Sequence, residues 1–237
     1  MPYLTFIDDQ KIENIVREVL QKGSNAKKWN KKQFYKNAID PFSILFEMSS
    51  FSIDFDTWFA NEKIRQAQKT LSNCVGSFHQ NILGSLDGWE QLNVGGIIDV
   101  VSHERKIIAE IKNKHNTLKA SDQCVMYEKL HDMVMTKGHI YKDYVAYYVE
   151  IIPKKPERYD LLFTPPKNLT GSKCHPNPLI RKIDGYSFYT LATGGIDDAL
   201  YQLFSVLPEV FEKISPDYRI LKTDVVKDIF RKTYLDS

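Results

Sequence analysis

The sequence predicts an α/β fold (an α+β arrangement with a mixed sheet). The elements of its core follow the order helix, strand, strand, strand, helix, strand. Three observations predict it. A long amphipathic stretch ends at a glycine, three short apolar and β-branched runs follow it, and a second helical pattern separates those runs from a fourth apolar run. Helical additions are expected at both ends. A chain of 237 residues can bury such a core within a single domain.

The first two helices are marked by their caps. Asp8 or Asp9 caps an amphipathic helix that Gly23 is expected to end. At residues 40–41 an Asp-Pro pair gives an N-cap followed by proline at the first helical position. This pair opens a short apolar helix that runs to about Phe51. The N-terminal part of the chain is therefore predicted to be helical.

The core comes next. Its elements are predicted, in chain order, as a helix, three strands, a helix and a strand: residues 57–83, 89–94, 95–101 and 106–112, a stretch from Thr117 or Ser121 to Gly138, and residues 144–152. Gly84 stops the first of these helices, and Pro153 halts the last strand. This order depends on periodicity and on turn residues alone, so it is partly independent of any motif.

The last part of the chain begins with a proline-rich, irregular stretch over residues 153–178. Such a stretch is longer than a connection requires, and loops of that length are usually functional. A strand over residues 187–191, a helix over residues 196–214 bent at Pro208 and a short helix over residues 224–232 complete the prediction.

Composition excludes several classes of protein. The net charge is only +2, so a nucleic-acid footprint has to come from local patches. There is no run of about 18 apolar residues and no basic and apolar leader, which argues against a membrane span and a secretory signal. The three cysteines are an odd number without a C-x-x-C pair, which disfavours a disulfide framework or a structural zinc site. We therefore expect a cytoplasmic protein.

Three residues of the predicted hairpin carry chemistry. Asp99 ends one apolar run, and Glu110 and Lys112 lie two residues apart in the next, so they project from the same face of a strand. If the turn places Asp99 beside Glu110, two carboxylates and an ammonium converge at the edge of a sheet. With the backbone carbonyl of Ile111, the two acids make an oxygen site suited to Mg²⁺, and the lysine can orient an attacking water. Such a site has the groups that phosphodiester hydrolysis requires.

The alternative is a half-exposed hairpin with surface acids and a lysine paired to one of them. Acids and lysines are common, so the spacing by itself favours that interpretation. The apolar residues on either side favour the catalytic one, because a solvated hairpin normally alternates polar and apolar residues.

At these positions the sequence resembles the PD-(D/E)xK nuclease superfamily. Asp99, Glu110 and Lys112 match its metal-binding acid, second acid and lysine, while Ile98 stands in place of the name-giving proline. Within the superfamily the chain is similar to the type II restriction endonucleases that cut GGNCC. The stretches that carry this similarity are residues 78–84, 109–117, 184–189 and 192–194. The resemblance implies a restriction-endonuclease-like core and Mg²⁺-dependent cleavage of double-stranded DNA that leaves 5′-phosphate ends.

Further candidates surround this motif. Glu62 and Gln80 lie on an amide-rich polar stripe of the long helix, Glu62 as an additional metal-shell acid and Gln80 as a DNA contact; a merely solvated face is equally compatible. Candidates for phosphate contacts are Lys31 and Lys32, in a lysine-rich stretch, and Lys114, His115 and Asn116, directly beyond the motif. Candidates for reading G·C pairs are Lys173, His175, Asn177, Arg181 and Lys182.

The sequence thus predicts a sequence-specific, Mg²⁺-dependent endonuclease in three parts: a helical region (1–56), a catalytic core (57–152) and a recognition or dimerisation region (153–237). A palindromic site implies a homodimer, with the C-terminal helices and the basic N-terminal region as equal candidates for its surface. The alternatives are a repair or junction-resolving nuclease of the same superfamily, a nuclease on RNA and a non-catalytic DNA-binding module.

Overall fold

A computed structural model describes residues 2–28, 39–92, 95–167, 172–220 and 223–235. The helices within these ranges are α1 (Asp9–Lys27), α2 (Pro41–Phe51), α3 (Phe55–Leu83), α4 (Ala120–Met135), α5 (Gly185–Ala192), α6 (Ala199–Ile214) and α7 (Thr223–Tyr234), with a 3₁₀ turn at Pro216–Tyr218. The strands are β1 (Glu90–Gln91), β2 (Val100–Ser102), β3 (Ile107–Lys114), β4 (Val145–Ile152), β5 (Asp160–Leu162) and β6 (Ile180–Asp184).

The chain divides into two compact units. One unit, Val16–Phe78, contains α2 and most of α1 and α3. The other contains the residues up to Ile15 and those from His79 onward, and with them all the strands and the remaining helices. Among the described helices, none is both long and apolar enough to cross a membrane.

The sheet is mixed, with the strand order β1-β2-β3-β4-β6-β5. Strands β1 to β3 form an antiparallel meander, β3, β4 and β6 are parallel, and β5 pairs antiparallel with β6. The order helix, strand, strand, strand, helix, strand is found as α3, β1, β2, β3, α4, β4. The predicted fold class and core order are confirmed.

Each face of the sheet is covered by helical residues. On one face a buried cluster joins Ile108 and Tyr148 of the sheet to Leu130 of α4, and the Tyr148 ring stacks on Phe163 with centroids 4.7 Å apart. On the other face Phe188 of α5 packs against the ring of Tyr147 of β4, with centroids 5.8 Å apart, and edge-on against Trp89. Burial of these side chains fixes the central strands on both faces.

Helix α1 does not end at Gly23, as the sequence predicted, but at Lys27. Gly23 lies inside the helix. A Cβ at this position would approach Cδ1 of Leu71 to 3.1 Å, so the glycine permits close packing against α3. Asp8 caps the helix, since its Oδ1 accepts the N–H groups of Gln10 and Lys11.

The strand predicted over residues 187–191 is wrong, because those residues belong to α5. The true strand, β6, lies immediately before them. Asp184 ends β6 and caps α5, with its Oδ1 accepting the N–H of Ser187 at 2.9 Å. Gly185 follows, and a Cβ there would lie 2.5 Å from the carbonyl oxygen of Ile151. Cap and close packing override the β propensity of this segment.

Smaller differences concern strand ends. β1 covers only Glu90–Gln91, and β2 begins at Val100, because residues 95–99 form turns rather than the start of a strand. The stretch over residues 153–178, predicted as irregular, contains β5. The helices predicted over residues 40–51, 57–83, 196–214 and 224–232 are confirmed to within a few residues.

Candidate active site

Asp99 is fixed by main-chain bonds on both sides. Its N–H donates to the carbonyl oxygen of Ala109 at 2.9 Å, and its own carbonyl oxygen accepts the N–H of Leu92 at 2.8 Å. Val100 lies opposite Ala109 in the antiparallel pair of β2 and β3, and the Asp99 carboxylate lies close enough to that of Glu110 for the two to interact. The side chain is held as well, because Oδ2 of Asp99 accepts the N–H of Ile111 at 2.7 Å.

Glu110 is an acid in an apolar surrounding. It lies in the middle of β3 and is only 5% exposed. Burial raises the pKa of Glu110, the nearby Asp99 charge raises it further, and Lys112 opposes the shift. The resulting pKa is about 7. The pair of acids therefore forms a site at which a positive charge is strongly favoured.

Lys112 shares the face of β3 that carries Glu110, and its ammonium forms an ion pair with Oε1 of Glu110. About a fifth of the Lys112 side chain reaches solvent, against 7% for Glu110. The lysine therefore lies nearer the mouth of the site than Glu110 does.

The donor set fits a hard divalent cation. Two carboxylates lie side by side and repel each other, and a cation between them would relieve that repulsion. Within the described ranges, no group of three His, Cys, Asp or Glu side chains surrounds one point. The remaining ligands would have to be backbone, water or phosphate oxygens, which is how Mg²⁺ is usually bound in phosphoryl-transfer sites.

Glu62 belongs to the other compact unit, on α3. Its carboxylate forms an ion pair with Arg65 and accepts the Nε2 amide of Gln66 at 2.8 Å. Arg65 also pairs with Glu47 at 3.2 Å. These partners account for the burial of Glu62 within its own unit.

Beside the motif lies a buried acid that sequence reasoning missed. Glu150 of β4 is 1% exposed and is the register partner of Lys112. Lys182 of β6 forms an ion pair with it at 2.9 Å, and the hydroxyl of Tyr159 donates to its Oε2 at 2.7 Å. The signal was present in the sequence, since Glu150 interrupts an apolar strand just as Glu110 does.

Comparison with known proteins places this site in a family. Residues 4–216 match the family model described as Eco47II restriction endonuclease. The chain belongs to the Eco47II restriction endonuclease family. It is 46% identical over 214 residues, 90% of this chain and 89% of the relative, to the type II restriction enzyme Eco47II of Escherichia coli. It is also 31% identical over 210 residues, 87% of this chain and 78% of the relative, to the type II restriction enzyme Sau96I of Staphylococcus aureus.

Membership of this family decides among the classes of function that the sequence left open. The protein is a site-specific deoxyribonuclease of type II, and the restriction enzyme is favoured over the repair nuclease and the non-catalytic module. Double-stranded DNA is its substrate.

The residues predicted to contact phosphates follow β3. Lys114 ends the strand, and a turn closed by Thr117 carries His115 and Asn116. Nδ1 of His115 is buried and has no hydrogen-bond partner among the described residues, and Oδ1 of Asn113 is in the same state. Buried polar atoms normally have partners, so these two are available to water or to a ligand. Asn113 was not predicted from the sequence.

The residues predicted to read bases fall into two groups. Arg181 and Lys182 lie on β6 and are engaged in ion pairs, Arg181 with Asp160 through Nε at 2.6 Å. Oδ1 of Asn177 accepts the N–H of Leu179. Lys173 and His175 are exposed on the segment between β5 and β6, so these two present their side chains to solvent.

Two further sets complete the candidates. Gln80 lies in the last turn of α3 and is partly exposed. Lys31 and Lys32 lie outside the described residues, so their contact with phosphates stays a prediction.

Proposed function

We propose that Asp99, Glu110 and the backbone carbonyl of Ile111 bind Mg²⁺ and that Lys112 orients the attacking water on the scissile phosphate. The observation that carries this proposal is the pairing of Asp99 with the buried Glu110, whose pKa is raised to about 7 by its burial and by the charge of Asp99. Bound Mg²⁺ would polarise the phosphate and lower the pKa of a water ligand.

The protein's own residues supply positioning and charge. The Ile111 N–H holds one oxygen of Asp99, so the other oxygen remains for the cation. Lys112 stands at the mouth of the site, where its ammonium can donate to a non-bridging phosphate oxygen and stabilise the charge that develops there. In-line attack of water on phosphorus then leaves 5′-phosphate and 3′-hydroxyl ends. Glu62 remains a candidate for an additional ligand.

The recognition site we propose is GGNCC, read by a homodimer in the cytoplasm. A palindrome is matched by a two-fold axis, and an odd number of base pairs sets that axis on a central pair that is not read. The similarity to two type II restriction enzymes, Sau96I and Eco47II, supports cleavage at a specific DNA site. Sedimentation with and without a cognate duplex tests the dimer, and a monomeric mass in both conditions would contradict it.

Plasmid digestion tests the function as a whole. The pure protein is incubated with plasmid DNA in Mg²⁺ and, as a control, in EDTA. Discrete fragments whose ends map to GGNCC, present only with Mg²⁺, are the expected result. Short duplexes carrying each of the four central base pairs then decide whether the central position is free or restricted to A·T pairs. A smear of fragments, or cutting in EDTA, would contradict the proposal.

A further inference from the structure

The mechanism above leaves one buried acid without a role. Glu150 lies on β4, one strand away from the proposed metal site, and is 1% exposed. A carboxylate buried to that degree is costly unless it is paired and hydrogen-bonded. Lys182 forms an ion pair with Oε1 of Glu150 and Tyr159 donates to Oε2, but Oε1 accepts no hydrogen bond from the described residues. An apolar residue would fill a central strand without this cost. We therefore look for a functional reason for the ion pair of Glu150 with Lys182.

Glu150 stands beside Lys112. The two are Cα partners in the parallel pair of β3 and β4, and so their side chains leave the sheet on the same face. Lys182, which pairs with Glu150, is 30% exposed, and Lys112 is 21% exposed. Two lysines thus reach toward solvent above two buried acids, Glu110 and Glu150.

The two acids also lie near one buried hydroxyl, that of Tyr148. Tyr148 lies between them on the same face, is fully buried, and its hydroxyl has no hydrogen-bond partner within the described part of the chain. Burial raises the pKa of Tyr148, and the charges of Glu150 and Glu110 raise it further. Both carboxylates therefore act on the same hydroxyl.

The pairing of Lys112 with Glu110 creates a conflict once a cation binds. Glu110 would have to serve the ammonium and the cation together, and the two positive charges repel each other. A second carboxylate beside the lysine on the neighbouring strand removes the conflict, because the ammonium can turn toward Glu150 and leave Glu110 to the cation.

We propose that Glu150 is a positioning residue for Lys112: it attracts the ammonium away from Glu110 when the cation binds, and Lys182 limits how strongly it does so. This inference rests on the proposed metal site at Asp99 and Glu110. It assigns the Glu150–Lys182 pair to the reaction, although neither residue contacts the cation.

The test is a double-mutant cycle read out by cation affinity. Mn²⁺, which suits the same oxygen ligands as Mg²⁺, is titrated into DNA-free protein and the free ion is followed by its electron paramagnetic resonance signal. We expect Glu150→Gln to weaken Mn²⁺ binding about tenfold, the lower end of the effect of losing a residue that supports a metal ligand. In the Lys112→Met background the same change should have almost no effect, since no ammonium competes for Glu110.

Lys182→Gln is the matched control. It removes the partner of Glu150 and frees that carboxylate for Lys112, so it should tighten Mn²⁺ binding or leave it unchanged. A purely structural role of the pair predicts that both single variants weaken binding and lower the unfolding temperature together. In plasmid cleavage, Glu150→Gln should lower kcat and leave KM for DNA nearly unchanged.

The outcomes separate this inference from the metal site itself. If wild-type protein binds Mn²⁺ no better than an Asp99→Asn variant, the metal site is refuted and the role of Glu150 falls with it. If Mn²⁺ binding depends on Asp99 but Glu150→Gln weakens it equally with and without Lys112, the charge of Glu150 acts directly on the cation and not through Lys112. That result overturns the positioning role of Glu150 and leaves the metal site standing.

Discussion

The N–H of Ile111 donates to Oδ2 of Asp99 at 2.7 Å, so the strand that carries Glu110 and Lys112 also orients the acid opposite them. One hydrogen bond thereby couples the positions of all three proposed catalytic side chains. It also means that a change at Asp99 can be made without losing this bond, because an asparagine offers an oxygen in the same place.

For Asp99→Asn we expect the cleavage rate to fall about 10²–10³-fold, because the variant keeps the bond to Ile111 and loses the charge. Initial rates on supercoiled plasmid measure the loss, and thermal unfolding should change little. Asp132→Asn, at a side chain that is 81% exposed, is the matched control and should cut at the wild-type rate. Full activity of Asp99→Asn would remove Asp99 from the site.

The raised pKa of Glu110 makes the stability of the metal-free protein depend on pH. The carboxyl has a pKa of about 7 in the folded chain and about 4.5 in the unfolded chain, so its protonated form favours folding. Its contribution is complete below pH 4.5 and is lost as the pH rises to 7, a change of about 3 kcal/mol. Urea unfolding in EDTA at several pH values measures the slope. Glu110→Gln should flatten the curve over this interval, and an unchanged slope would contradict the assignment.

Base reading should depend on Lys173 and His175, because their side chains are exposed, while Arg181 is held by Asp160. For Lys173→Ala or His175→Ala we expect discrimination at one base pair to fall by about 1–3 kcal/mol. Cleavage of duplexes with single mismatches measures it. Arg181→Ala should instead lower stability without relaxing the choice of site. Unchanged discrimination in both exposed variants would show that recognition lies elsewhere.

The carboxylate of Asp184 accepts two main-chain N–H groups, from Ser187 and from Tyr159 at 2.7 Å. Asp184→Ala leaves both donors without this acceptor, and we expect a loss of about 2 kcal/mol in the free energy of unfolding. Asp184→Asn keeps one amide oxygen and should lose about half as much. Urea unfolding compares the two, and equal losses would show that the charge matters rather than the acceptor.

The sequence predicted the elements whose determinants are local. Asp40 and Pro41 mark the start of α2, and the short connection between β2 and β3 brings Asp99 beside Glu110. The elements it missed depend on distant partners. β6 is fixed by pairing with β4 and β5, and the identity of α5 as a helix depends on its cap at Asp184. For the same reason no pattern in the sequence showed that Glu150 would lie beside Lys112.

The contact between Gly185 and Ile151 limits how members of the family can be recombined. A Cβ at position 185 would overlap the carbonyl oxygen and the Cα of Ile151, both within 2.6 Å, so even alanine requires the backbone to move. Gly185 follows the segment that carries the proposed base-reading residues, and Ile151 belongs to the catalytic core. A chimaera that joins the core of one enzyme to the specificity segment of another should therefore keep glycine at this junction, whatever else is exchanged.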